Sequence, residues 1–140
     1  MLQNSWVRIG LGALMSEVTV VVVLSAIIIA YRIFVAPGRD AAEYQAFGER
    51  AGYRIAPITG GVAVFFCAIC ATRTMTTGSI VNGTLVGLAS VILTLGFFFA
   101  AKPEHRLMYG VAFALRIVTG FLGGVVAQRI YEAGAVPAFH

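Results

Sequence analysis

The sequence predicts an all-α integral membrane protein: a bundle of four membrane-crossing helices with a short amphipathic helix in the first loop. Three observations carry that prediction. Of the 140 residues 59% are hydrophobic and 11% charged, with a mean hydropathy of +0.90, which leaves too little polar surface for a water-soluble domain of this size. Apolar runs recur four times, each long enough for a hydrocarbon layer about 30 Å thick, which takes about 20 helical residues. Trp6, Tyr31, Tyr53, Tyr109 and Tyr131 fall at or just beyond the ends of those runs, where an amphipathic ring sits among lipid headgroups.

The first span covers about residues 9–31 and includes LGALMSEVTVVVVLSAIIIAYR, with Glu17 in its first half. It is too long for a cleavable leader, and no A-x-A site precedes a polar region, so this span is expected to stay in the protein. The first loop, APGRDAAEYQAFGERAGYRIAP, opens on Pro-Gly and then offers Asp40 with Glu43 three residues later, a capping-box pattern. A helix over about 41–51 follows, with Tyr44, Phe47 and Ala51 on one side. Such a segment lies on the membrane surface or caps the bundle, or else docks a partner protein.

The other three spans, about 55–71, 78–101 and 107–127, each carry small residues at three- and four-residue steps. Lipid tails are as apolar as leucine, so helices in a bilayer associate by close packing of small residues and by polar contacts. The second span gives Ala56, Gly60, Ala63, Cys67 and then Cys70 or Ala71; the third gives Ser79, Gly83, Gly87, Ser90 and Thr94. The fourth gives Ala112, Arg116, Gly120, Gly124 and Ala127, and GTLVG and GFLGG supply a G-x-x-x-G in each of the last two. The stripes predict one compact transmembrane domain over 1–140, packed against itself, a second copy or a larger membrane complex.

The formal net charge is +4, but the basic residues are scattered at helix ends rather than gathered on one face, so nucleic acid is not an expected partner. Arg8, Arg73 and Arg129 lie on one side of the membrane; Arg32, Arg39, Arg50, Arg54, Lys102 and Arg106 lie on the other. The basic count places the first and third loops in the cytoplasm, whereas small even-span chains commonly keep both termini there; both orientations stay open.

A charge near the bilayer centre costs a few kcal/mol, roughly 2.5–3.5 on insertion scales, and therefore faces the protein interior. Arg116 shares the stripe of Gly120 and Gly124, and Glu17 is assigned the stripe of Gly10 and Ala13, so both are expected to face inward. An ion pair between them would remove two unpaired charges from hydrocarbon at once. The pair then either fixes helix register alone, or lines a polar cavity that binds protons, ions or a charged solute; a third arrangement places Glu17 shallower in a shifted first helix.

The stretch GALMSEV, residues 12–18, resembles the first helix of the small multidrug resistance transporters, four-helix proteins that work as antiparallel dimers. That resemblance implies a proton- and cation-binding role for Glu17. It covers seven residues; the first loop here is longer, and Arg116 would repel cationic substrates. FCAICATRT, residues 66–74, resembles the C-x-x-C stretch of vitamin K epoxide reductase-type and disulfide-forming quinone reductases, which implies thiol exchange at Cys67 and Cys70. Those enzymes relay electrons through a second cysteine pair, and this chain has two cysteines in all. Both also continue the small-residue stripe of the second span, which makes them packing residues. As a whole the chain resembles the uncharacterised four-helix membrane proteins of bacteria, which implies a multi-pass protein of a bacterial inner membrane.

His105 and His140 are isolated, and no metal-ligand spacing, phosphate loop, nucleophile elbow or paired carboxylates occur, so no metal, cofactor or catalytic activity is expected. Asn82 and Thr84 are expected to bond to backbone or to a neighbouring helix. The first functional expectation is an accessory, scaffolding or self-assembling subunit. The alternative is a small proton- or ion-coupled transporter or channel-like dimer built on Glu17 and Arg116, with a thiol oxidoreductase as a distant third.

Overall fold

A computed structural model describes residues 2–73, 78–100 and 103–135. The expected end of the third span at Ala101, together with Thr74, Lys102 and His140, lies outside the described residues. Among the described residues there are four α-helices: α1 (Leu2–Ala30), α2 (Ala41–Thr72), α3 (Ser79–Ala100) and α4 (Arg106–Ala135). All four are long and apolar enough to cross a membrane, as in a multi-pass membrane protein. α4 packs between α2 and α3, while α1 packs on α2 and α3 and sits diagonally opposite α4.

α1 ends in a widened π turn over Tyr31–Val35, closed by the Ala36 amide donating to the Tyr31 carbonyl at 3.0 Å. Pro37 explains the stop, because the residue before a proline is forced out of the helical region, and Ala36 indeed leaves it with φ −138° and ψ 58°. Gly38 then turns the chain at φ +79°, a left-handed conformation that glycine adopts without steric cost.

The first loop differs from expectation. The short helix over 41–51 and the second span are one continuous helix, α2, with Pro57 inside it. The expected interval over 52–54 is helical, and a membrane helix tolerates Pro57 because neighbouring groups re-satisfy the freed carbonyl. The cap also differs. Asp40 occupies the N-cap position with extended backbone, but its side chain makes no capping bond: the Glu43 amide donates to the Asp40 carbonyl at 3.1 Å, and the Glu43 side chain pairs with Arg39 instead of closing the box. The turn is held by Tyr44, whose hydroxyl donates to the Ala36 carbonyl at 2.6 Å and accepts from the Arg39 amide at 3.1 Å. Tyr31 stacks on Phe47 at 3.7 Å between ring centroids, which ties α1 to the first turns of α2.

The tightest seam lies between α3 and α4. A Cβ placed on Gly83 would come within 2.6 Å of the Gly120 carbonyl oxygen, and one on Gly87 within 2.5 Å of the Arg116 carbonyl oxygen. Both distances are below van der Waals contact, so only glycine lets these backbones meet. Gly124 sits as closely against Ser79, and Gly123 against the Phe65 carbonyl of α2.

Burial re-sorts two of the stripes. On α3 the buried polar and small positions are Ser79, Gly83, Gly87, Ser90 and Thr94. On α2 the buried positions of the span are Gly60, Gly61, Ala63, Val64, Ala68 and Thr72, so Gly60 and Ala63 of the expected stripe are buried, while Cys67 is half-buried and Cys70 exposed. A stripe stepping 4-3-4-3 and one stepping 4-4-4 leave the same starting point but drift apart by a residue over three turns. On α1 the buried face is Ile9, Gly12, Ala13, Ser16 and Val20, and Gly10 faces outward with nothing near it.

Candidate functional site

Glu17 and Arg116 meet across the diagonal of the bundle. The Arg116 Nη1 donates to Glu17 Oε1 at 2.6 Å, and Nη2 donates to Oε2 at 3.3 Å, so the guanidinium meets the carboxylate end-on. Arg116 stands on α4 about 15 Å from its start, reckoned at about 1.5 Å per residue, close to half the thickness of a hydrocarbon layer. Its exposure is 5%.

Each helix contributes to this contact. From α3, the Ser90 hydroxyl donates to Glu17 Oε1 at 2.5 Å and accepts from Arg116 Nη1 at 3.1 Å. Thr94, one turn on, accepts from the same nitrogen at 2.8 Å while donating back to the Ser90 carbonyl at 3.0 Å. From α2 comes an absence: a Cβ on Gly60 would lie 2.9 Å from Nη2 and 3.0 Å from Nε, so only a glycine leaves room for the guanidinium. α1 supplies the carboxylate from the edge of its buried face, beside Ser16. Hydrogen bonds to charged groups contribute about 1.5–3 kcal/mol apiece, and four oxygens crowd around Nη1 alone.

One donor is left over. Arg116 Nε is the buried side-chain polar atom among the described residues that has no hydrogen-bond partner. Arginine offers donors along two forks, an end formed by the two Nη atoms and a side formed by Nε and Nη2. Glu17 takes the end and leaves the side, which lies over Gly60.

Arg116 and Thr94 also close the inner end of a cavity of about 790 Å³, within the roughly 300–1,000 Å³ range of small-molecule sites. The cavity runs from this floor toward the first and third loops. Its walls are Val20, Leu24 and Ile28 of α1, Ala56 of α2, Phe97 of α3 and Phe113 of α4. Tyr53, Tyr109 and Glu49 lie further out, and Tyr53 there stacks on His105 at 3.7 Å. Among the described residues that line the cavity, Arg116 is the one charged group at the deep end, and the wall above it is apolar.

The remaining sequence candidates sit elsewhere. Cys67 and Cys70 are free thiols. Asn82 and Thr84 bond back to the Gly78 and Ile80 carbonyls of their own helix rather than across to a neighbour. Ser90 and Thr94 read in sequence as small packing residues; a hydroxyl one turn apart on the stripe facing an intramembrane arginine is the signal that identifies them as its partners. The cavity has no counterpart in sequence, because its walls are ordinary apolar span residues. No protein-family model, curated protein or solved structure matches the chain.

Proposed function

We propose that this chain is a small solute-binding protein of a bacterial inner membrane, acting as a proton- or ion-coupled transporter or channel-like protein with Glu17 and Arg116 at its centre. One observation carries the reading: Arg116, the cationic member of the buried pair, lines the inner end of a cavity large enough for a small molecule, with Glu17 bonded to it behind that wall. A pair that only fixed helix register would need no such space beside it. The solute would enter from the loop end and meet a single charged group at the bottom.

The second reading is an accessory, scaffolding or self-assembling subunit, with the pair as architecture. Its support is the density of hydrogen bonds around Nη1, which anchors α1, α3 and α4 together. Proteoliposomes loaded with a pH-sensitive dye separate the two readings. Under the first, the unaltered protein moves protons with its solute, and Glu17→Gln loses that movement at temperatures below its own thermal transition, where its helicity is intact. Under the second, Glu17→Gln and Arg116→Leu each unfold at lower temperature, the double variant recovers, and no solute in a panel of amphipathic acids, amines and alcohols moves protons in any variant.

A further inference from the structure

The two ends of the cavity differ in what they can hold. At the floor the polar atoms are already engaged. Arg116 donates through Nη1 and Nη2 to Glu17, and through Nη1 also to Ser90 and Thr94; its Nε and the flank of Nη2 lie against Gly60 with less room than a methyl group needs. The Thr94 hydroxyl accepts from Arg116 and donates to the Ser90 carbonyl. No group there is free to receive a headgroup, so the floor takes an apolar end. The mouth is the polar end: Gln45, Glu49 and Tyr53 of α2 and Tyr109 of α4 line it, at the level where aromatic rings sit among headgroups. From Met108 to Arg116 the apolar wall of α4 runs about 12 Å at about 1.5 Å per residue, close to the depth of one leaflet, half of a hydrocarbon layer about 30 Å thick.

The cavity is also open sideways. Val21 of α1 and Phe97 of α3 line it and are nevertheless 63% and 65% exposed, so it opens between those two helices toward the surrounding hydrocarbon. Around the mouth stand exposed cations: Arg50 follows Glu49, Arg54 follows Tyr53, and Arg106 lies one turn before Tyr109 with its guanidinium over the Phe98 ring at 5.9 Å. Arginine forks match phosphate oxygens. On the premise that the cavity is a binding site, we propose that its occupant is a phospholipid of the leaflet next to the first and third loops. One acyl chain enters between α1 and α3 and lies along Leu24 and Phe113 down to Thr94, the second chain stays in the bilayer, and the phosphate stays at the mouth beside Arg50, Arg54 and Arg106. A water-soluble solute would leave the side opening facing hydrocarbon, and a charged head at the floor would find no free partner.

Native mass spectrometry of the full chain, released into detergent from nanodiscs of phosphatidylglycerol and phosphatidylethanolamine, tests this and is expected to show one phospholipid retained per chain. Two glycines give matched variants. A Cβ on Gly52, which lines the cavity, or on Gly110, which does not, meets nothing within 4 Å. Gly52→Phe is expected to lose most of the retained lipid and Gly110→Phe to keep it, both with unchanged helicity. Diacylglycerol with the same chains, mixed into the nanodiscs, is expected to be retained several-fold less than phospholipid. No retained lipid in the unaltered protein, equal retention in Gly52→Phe, equal loss in Gly110→Phe, or diacylglycerol held as well as phospholipid would overturn the proposal. The proton-flux assay in proteoliposomes identifies which premise failed. If no phospholipid is retained but Gly52→Phe stops a solute of the panel from moving protons, the cavity is a solute site and the lipid class is wrong. If Gly52→Phe changes neither retention nor flux, the solute-site reading falls with it.

Discussion

Gly87 has no space for a methyl group, and the atom in the way is backbone. A Cβ there would meet the Arg116 carbonyl oxygen at 2.5 Å, in the turn that carries the buried guanidinium. Gly87→Ala and Gly83→Ala are therefore expected to destabilise the protein by about 1–3 kcal/mol, the range for overpacking a close-packed interior, and more if the helices must separate. Gly10→Ala and Gly110→Ala, inside α1 and α4 with nothing within 4 Å of the added atom, should instead stabilise by about 0.5–1 kcal/mol through helix propensity. Denaturant titration in micelles gives both pairs on one scale. Ser90→Ala should cost about 1.5–3 kcal/mol by the same measurement, since it removes a donor to Glu17 and an acceptor for Arg116 together. Sequence distinguishes these glycines only in part. Gly83, Gly87, Gly120 and Gly124 were legible because each has a partner glycine one turn away and an arginine or serine marking the same face. Gly10 was placed on the Glu17 face because a 3-4 step from Gly10 through Ala13 is as regular as the 4-4 step from Gly12 through Ser16 to Val20. Only the neighbouring helix decides between them.

α2 shows how an element can be legible in type and misread in extent. Its polar first turns and its apolar stripe have different compositions, which reads as a helix over about 41–51 and a span from about 55. Backbone hydrogen bonding continues through that stretch, and the composition changes because the helix leaves the membrane, not because it ends. The cap was misread for a local reason. Asp40 and Glu43 have capping-box spacing, but Arg39 beside them offers Glu43 a full charge, which outbids a backbone amide. This has a testable consequence at the level of the element. Asp40→Ala should fall short of the about 1 kcal/mol typical of a lost N-cap side chain, because no such bond exists to lose. Tyr44→Phe should cost more, about 1–2 kcal/mol, because it removes the hydroxyl that bridges Ala36 and Arg39. Hydrogen exchange at the Arg39 amide reports the difference directly: protection falls in Tyr44→Phe and stays in Asp40→Ala.

At the scale of the molecule the four helices are unequal. α3, α4 and α2 meet through glycines at backbone contact, whereas α1 lies against α2 and α3 through a narrow line of small residues and reaches α4 by the Glu17 side chain. The class of fold was legible because hydropathy depends on composition alone; the order in which helices pack was not, since small stripes mark faces without naming their partners. The asymmetry predicts that the charge pair holds α1 in place. A Cβ on Gly12 would lie 3.4 Å from the Ala71 Cβ, close to the roughly 3.5–4.5 Å spanned by a disulfide. With Cys67 and Cys70 replaced by alanine, Gly12→Cys with Ala71→Cys should therefore oxidise to a cross-link that leaves the chain at monomer mass on a non-reducing gel. Glu17→Gln in that background should slow cross-linking several-fold, because removing one partner leaves an uncompensated buried charge, a loss of about 3–5 kcal/mol, and α1 is the helix free to move. Adding Arg116→Leu should restore the rate, since a pair replaced on both sides leaves no orphaned charge. A product at dimer mass would show instead that α1 of one copy packs on α2 of another, and the self-assembling reading would then take precedence. Failure to cross-link in any background would show that α1 meets α2 in a different register from the one that brings Glu17 to Arg116.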